Sequence, residues 1–173
     1  MVSENMRGAI TLNVTEKKIT LTKVVSHHLT SLKQFTLHEH QLAFTSMPMP
    51  AYEKCIREPN RLPVAIMEGV RTVGFFVLDQ GDDVFSYTTS PHAILLRAYS
   101  INLPDQGRGI AKTSLRQLKP FVEKHLPDCR EVVLGVNKNN PSAKKVYIEA
   151  GFIDTGKQKM GRSGPQAILK FFM

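Results

Sequence analysis

Short β-branched runs alternate with longer amphipathic stretches along the chain, and the two periodicities mark out its elements. Thr11–Val14 and Ile19–Val25 carry β-branched residues in alternation and predict strands. Ser26 suits the N-cap of a helix through His27–Gln34, and Thr36 that of a second piece, Leu37–Phe44. The Met47-Pro48-Met49-Pro50 run predicts a break, with a new helix over Ala51–Arg57 ended by Glu58-Pro59-Asn60. Val64–Met67 and Val70–Leu78 flank Glu68-Gly69, a hairpin signal, and Gln80–Asp83 reads as a polar turn.

Ala93–Leu103 is a mostly apolar strand candidate, followed by the Gly-rich stretch Gln106–Ala111. Ala111, Leu115, Leu118 and Val122 keep helical spacing after it, with Pro120 expected to kink or break that helix. Glu131–Val136 reads as a buried strand. Asn140-Pro141 then opens a helix with N-cap and N1 residues in their preferred order, and Gly151 closes it. Phe152–Thr155 and Gln166–Phe172 read as two last strands around a Gly161–Pro165 turn. The resulting order is a mixed α/β fold whose strand, loop, helix, strand middle suits a right-handed crossover between parallel strands. No repeat, linker or low-complexity tract interrupts it, so residues 8–173 are expected to form one domain.

Composition narrows the picture. The 173 residues are 42% hydrophobic and 22% charged, which excludes a disordered chain and a disulfide scaffold. No apolar run approaches a membrane span, and the first residues lack signal-peptide features. Cys55 and Cys129 show no metal or redox spacing. A reduced, cytoplasmic protein without membrane attachment is therefore expected. The net charge of +8 is uneven: residues 1–100 carry 10 Lys/Arg against 9 Asp/Glu, and residues 101–173 carry 13 against 6. A nucleic acid, an anionic surface or a phosphorylated ligand would each suit that asymmetry.

The candidate chemistry begins at Gln106-Gly107-Arg108-Gly109-Ile110-Ala111, where a strand gives way to a helix. Amide groups left uncovered by Gly107 and Gly109 at a helix start make an anion cradle suited to a pyrophosphate, and Arg108 and Lys112 add charge. The pattern is neither a P-loop nor a dinucleotide GxGxxG. One helix and one strand later comes Asn140-Pro141-Ser142-Ala143-Lys144-Lys145-Val146-Tyr147, running on to Gly151-Phe152. On a helix, Asn140, Ala143 and Tyr147 share one face.

Together the two segments resemble the GNAT superfamily of N-acetyltransferases, whose acyl-CoA loop reads Gln/Arg-x-x-Gly-x-Gly/Ala. Its later helix often reads Asn-x-x-Ala-x-x-x-Tyr-x-x-x-Gly-Phe. The resemblance implies a GNAT fold: a mixed sheet of six to seven strands, about four flanking helices, and a splayed parallel pair holding acetyl-CoA. It implies pantetheine contacts through Ile101 and Leu103, pyrophosphate contacts from the amides of Gly107, Arg108, Gly109, Ile110, Ala111 and Lys112, and a place for Gln106 among the cofactor-binding residues. Lys144 or Lys145 would join Arg108 and Lys112 at the phosphates. Asn140 and Ala143 would flank the pantetheine arm, and Tyr147 would protonate the departing thiolate. The Ile101 amide would polarise the thioester carbonyl.

No base is evident: Ala93–Leu103 lacks the glutamate some family members carry. His92, Glu68 and ordered water are the candidates. Cys55 and Cys129 read as core residues, because direct transfer needs no protein nucleophile. His27-His28 and His38-x-His40 lack metal-ligand partners, so no metal is expected. Arg97 is a lone charge in its strand, either at the rim or paired with an acidic group of the protein or the substrate.

In this family, acceptor choice lies in segments corresponding to Leu32–Arg57 and Gly156–Gln166. Glu39, Glu53, Asp79, Asp82 and Asp83 are candidates for an acidic mouth that admits a cationic amine. Leu37–Thr45 is similar to a helix of bacterial polyamine acetyltransferases, so a polyamine or other small amine is the expected acceptor. A lysine or N-terminus of a protein is the alternative, and a non-catalytic CoA-binding module a third. Nucleic acid is disfavoured, since no basic run with interleaved aromatics occurs. A homodimer is compatible with the resemblance.

Overall fold

A computed structural model describes residues 17–173. Thr11–Val14, read as a strand, and the expected boundary at residue 8 lie outside them. One seven-stranded sheet runs in the order β1 (Ile19–Lys23), β2 (Arg61–Glu68), β3 (Arg71–Asp79), β4 (Ala93–Ile101), β5 (Glu131–Asn137), β7 (Gly164–Phe172) and β6 (Ile153–Gly161). Every neighbouring pair is antiparallel except β4 and β5. Five α-helices flank it: α1 (Leu29–Lys33), α2 (Pro48–Arg57), α3 (Ile110–Arg116), α4 (Leu118–His125) and α5 (Pro141–Glu149). This is the GNAT fold that the motifs imply.

Local chemistry explains most of the departures from the sequence expectations. Pro48 and Pro50 do not break a helix; they start one, because an N–H missing from the first turn had no partner to lose. Pro120 has the expected effect in a sharper form. The helix divides at Gln117 into α3 and α4, which puts Pro120 in the first turn of α4. The division accounts for a fifth helix. The Leu37–Phe44 piece is a 3-10 turn over Glu39–Ala43. The hairpin turn is Gly69-Val70, with Gly69 at φ +61°. β6 runs to Gly161, well past Thr155, because a register shift after Asp154 lets it resume pairing at Gln158.

Both faces of the sheet are covered, so its central strands are apolar throughout rather than alternating. Ile66, Phe76, Leu78, Ile94 and Leu134 pack with Leu115, Leu118 and Val122 of α3 and α4 on one face. Phe75 and Val77 pack with Leu32, Phe35 and Cys55 from the α1 and α2 side on the other. The α3–α4 crossover makes the parallel β4–β5 pairing possible.

That pairing is short, and its end creates the site. The β4–β5 register runs only from Ala93↔Glu131 to Leu95↔Val133, although β4 continues to Ile101 and β5 to Asn137. Beyond it β4 stays with β3 and β5 stays with β7, and the two strands diverge. An extra residue in β4 between the pairs Phe75↔Ser100 and Val77↔Arg97 sharpens the divergence. Ala98 there adopts φ +53°, a strained backbone for a residue with a Cβ.

Candidate active site

A cavity of about 550 Å³ fills the opening between β4 and β5. Its walls are Leu96–Ile101, Leu134–Asn137, the glycine loop and one face of α5. The inner main-chain edges of the two strands face it without a strand partner. The edge can be assigned at Ile101. The Asn102 amide donates to the Val73 carbonyl on β3 at 2.9 Å, so the carbonyl of the same peptide, that of Ile101, points into the opening. An extended residue presents its N–H and C=O on one edge, so the Ile101 amide faces the cavity as well.

At the loop, Gly107 and Gly109 both sit at φ +74°, and a Cβ on either would meet no protein atom within 4 Å. Conformation, and not internal packing, therefore requires glycine, and the space beside each is open. Gly109 sits immediately before α3, and Gly107, Gly109, Ile110, Ala111 and Lys112 all line the cavity. Gln106 locks the loop's base: its Nε2 donates to the Ile101 carbonyl at 2.9 Å, and its amide pairs with that of Gln41 at 3.0 and 3.1 Å.

Two expected contacts are absent from the cavity wall. Leu103 lies outside β4 in a short 3-10 turn, where its amide donates to Thr36 and its carbonyl accepts from Gln106. Its amide is not available to pantetheine, and the residue does not line the cavity. Arg108 turns away from the cavity to pair with Glu68 and, at 2.9 Å, with Asp105. Arg71 joins the same two carboxylates at 3.0 and 2.6 Å. Arg108 is thus a latch from the loop to the β2–β3 hairpin. Its guanidinium, with that of Arg71, holds the Glu68 carboxyl below the usual glutamate range. Glu68→Gln loosens this latch, and the KM for acetyl-CoA is expected to rise about fivefold with little change in kcat. Steady-state kinetics on the folded variant check it.

The lysines assigned to phosphates also have protein partners. Lys112 lines the cavity but bridges to Glu149 of α5 at 2.9 Å. Lys144 pairs with Asp154 at 2.6 Å and Lys145 approaches Glu149 at 4.0 Å; neither lines the cavity. The anion cradle offered by the loop consists mainly of amides.

α5 brings Asn140, Ala143 and Tyr147 to the cavity together, as their spacing predicts. Asn140 Oδ1 accepts from the Ala143 amide at 3.2 Å, so its side chain serves as the N-cap. The Tyr147 ring packs edge-on against Tyr99 and Phe152, at centroid distances of 6.1 and 5.6 Å. Burial raises the Tyr147 phenol above the ordinary tyrosine range, which keeps it protonated. The sequence did not single out Tyr99. Its hydroxyl is engaged by Ser114 Oγ at 2.6 Å and the Ala111 carbonyl at 3.2 Å. That leaves Tyr147 as the cavity phenol without a protein hydrogen bond among the described residues.

Residues 36–45 supply a further wall of the cavity. Thr36 is tied to Asn102 and Leu103, Thr45 Oγ1 donates to the Tyr99 carbonyl at 3.2 Å, and Ser163 and Arg162 donate to the Ala43 and Leu42 carbonyls. Leu37, Gln41, Phe44 and Thr45 line the cavity, as do Arg97, Ala98, Gly135 and Gln166. Gly135 leaves room for the Gln166 side chain, which a Cβ there would strike.

None of Glu39, Glu53, Asp79, Asp82 and Asp83 lines the cavity. Asp79 is buried and bound by Arg61 and Arg97, and Asp83 pairs with the same two arginines. The expected acidic mouth is therefore missing, because arginines take up the two carboxylates nearest to it. Both side-chain candidates for the base also lie outside the cavity: Glu68 is in the latch and His92 is on the exposed turn before β4. Cys55 and Cys129 are buried away from the site, and burial pushes both thiols up to about 11. They are poor nucleophiles at neutral pH. No group of three potential metal ligands occurs among the described residues, and no helix there is long and apolar enough to cross a membrane.

The splayed edges, the amide cradle and the small Ala143 together fit a long, flexible donor with a pyrophosphate. Comparison with known proteins agrees. The sequence profile of the Acetyltransferase (GNAT) family matches residues 29–152. The uncharacterized N-acetyltransferase YbbJ of Bacillus subtilis (strain 168) is 35% identical over 156 residues, covering 90% of this chain and 98% of that protein. Among solved structures, aminoglycoside acetyltransferase AAC(6')-Ib with coenzyme A and kanamycin superimposes with a TM-score of 0.72 at 17% identity, over 90% of this chain and 95% of that one. Spermidine N-acetyltransferase from Vibrio cholerae with CoA and spermine gives 0.67 at 15% identity, over 90% and 95%. The two motifs, the splayed sheet and the family match lead to one conclusion: the chain belongs to the acetyltransferase (GNAT) family and is an acetyl-CoA-dependent N-acetyltransferase.

Proposed function

We propose that the protein moves an acetyl group directly from acetyl-CoA to a primary amine of a small molecule. One observation carries this reading. A single concave cavity of about 550 Å³ brings together the glycine loop, Tyr147 and Leu37, Gln41, Phe44 and Thr45 of the segment 36–45. A concavity of that size suits a small acceptor better than a protein chain. Neighbours in fold include enzymes bound to an aminoglycoside and to spermine, which supports a small amine without choosing one.

Acetyl-CoA supplies an activated thioester carbonyl. The amides of Gly107 and of Gly109–Lys112 hold its pyrophosphate, and the inner edges of β4 and β5 take the pantetheine. The Ile101 amide donates to the thioester oxygen as negative charge develops there. The neutral amine attacks the carbonyl carbon, the carbon–sulfur bond breaks, Tyr147 gives its phenolic proton to the departing sulfur, and the proton that the acylated nitrogen sheds returns to the Tyr147 phenolate. The attacking ammonium first loses a proton to water, since no unpaired carboxylate or imidazole lines the cavity among the described residues.

An amine panel of amino acids, diamines, spermidine, aminoglycosides and a lysine peptide, read by thiol release, tests this proposal. Amine-dependent release with a small acceptor supports it, and release confined to the peptide overturns it. With water as the proton acceptor, the acidic limb of kcat/KM is expected to follow the pKa of each amine and to be unchanged in His92→Ala. A limb fixed across amines, or abolished in that variant, would restore a side-chain base.

A further inference from the structure

Four charged side chains line the cavity, and their distribution is uneven. Asp105, Lys112 and Glu149 lie at the glycine-loop end, each engaged by an oppositely charged partner. The acceptor end holds Arg97, with Leu37 and Phe44 as apolar wall and no carboxylate among the described residues. A polycation entering there would meet a guanidinium.

Arg97 is also held in place. Its Nη1 donates to Asp79 Oδ2 at 2.9 Å and to Asp83 Oδ2 at 2.7 Å. Asp79 is 1% exposed and fixed in turn, through Arg61 Nη2 at 3.2 Å and the Gly81 amide at 2.8 Å. Neither aspartate lines the cavity. The other edge of Arg97, Nε and Nη2, has no hydrogen-bond partner among the described residues. The strained bulge at Ala98 sits beside it. A fixed guanidinium with an open two-donor edge is complementary to a carboxylate, which takes two parallel hydrogen bonds.

Resting on the acetyl-transfer reading, we infer that the acceptor carries a carboxylate as well as its primary amine, and that the Nε–Nη2 edge of Arg97 seats that carboxylate. The acceptor class is then amino acids and related amino-carboxylic acids. The apolar Leu37 and Phe44 cover the remainder of the molecule. Arg97 acts here on specificity, while the proton transfers stay at Tyr147 and water.

Matched amines that differ by one carboxylate test the inference: phenylalanine against phenethylamine, and β-alanine against propylamine, with spermidine as the cationic control. The wild-type enzyme is expected to favour the carboxylate member of at least one pair by about tenfold or more in kcat/KM. Arg97→Gln is expected to bring that ratio to within about twofold, and Arg97→Lys to restore part of it. Unchanged calorimetric affinity for acetyl-CoA in both variants shows that they remain folded. Calorimetry of the amino acid with CoA present gives a readout independent of turnover: binding in the wild type, lost in Arg97→Gln.

A wild-type preference for the decarboxylated amine or for spermidine overturns the inference, as does a ratio that survives Arg97→Gln. In those cases amine-dependent thiol release still stands, and the acetyl-transfer reading with it. Absence of release with every amine overturns both.

Discussion

Tyr147→Phe is expected to lower kcat by about 10²–10³, in the range of general acid catalysis, while the KM for acetyl-CoA changes less than threefold or so. The substitution removes one oxygen and leaves the ring, and the ring does the packing against Tyr99 and Phe152. The hydroxyl has no protein hydrogen bond among the described residues, so its loss leaves no internal donor or acceptor unpaired. An effect on turnover would therefore report the proton and not the fold. The pH dependence follows from the same burial. An acid is useful while protonated, and burial raises this phenol above the ordinary tyrosine range. Ionisation of Tyr147 should cause no loss of kcat up to about pH 10, where an exposed tyrosine would already be half ionised. Steady-state kinetics at saturating substrates check both statements. Wild-type turnover in Tyr147→Phe would remove the phenol from the mechanism.

The second large effect is expected at Gly109. Gly109→Val should weaken acetyl-CoA binding by about a hundredfold or more, measured by calorimetry. Two costs add. A residue with a Cβ pays roughly 1–2 kcal/mol to adopt the left-handed conformation that Gly109 holds at φ +74°, and a β-branched one pays more. Each 1.4 kcal/mol is a factor of ten. The Cβ would also project into space free of protein atoms, where on the proposed reading phosphate oxygens approach the amides. Gly107→Ala, at the same φ, is expected to lose less, because a methyl group fills less of that space. Parental affinity in Gly109→Val would show that the loop does not carry the pyrophosphate.

The glycine loop and the α5 motif were legible in the sequence because each depends on neighbours a few residues apart. A strand, two glycines and a helix start suffice to expose consecutive amides, and helical repeat alone brings Asn140, Ala143 and Tyr147 to one wall. The charged residues were read less well. Arg108 sits in the loop and was assigned to phosphate, yet it pairs with Glu68, forty positions earlier in the chain. Leu103 follows the apolar strand and was assigned to pantetheine, but Thr36 takes its amide. Asp79 and Asp83 were offered as an acidic mouth and are spent on Arg61 and Arg97. Long charged side chains choose their partners across the sheet, and no local pattern shows which.

The excess positive charge after residue 100 illustrates the same division. Its location was a property of the sequence, and a phosphate-rich donor gives it a reason. Lys112, Lys144 and Lys145 nevertheless have carboxylate partners, so the loop offers amides first and side-chain charge second.

By itself, then, the sequence determined most of the order of elements, through short-range periodicity and turn chemistry, and carried two short motifs whose resemblance implied the family and the cofactor class. Tertiary structure decided where β4 and β5 part, which distant residues line the cavity between them, and which charged group is left with a free edge. Those outcomes depend on strands and turns distant in sequence meeting in register, and on ion pairs settled only when the sheet has formed.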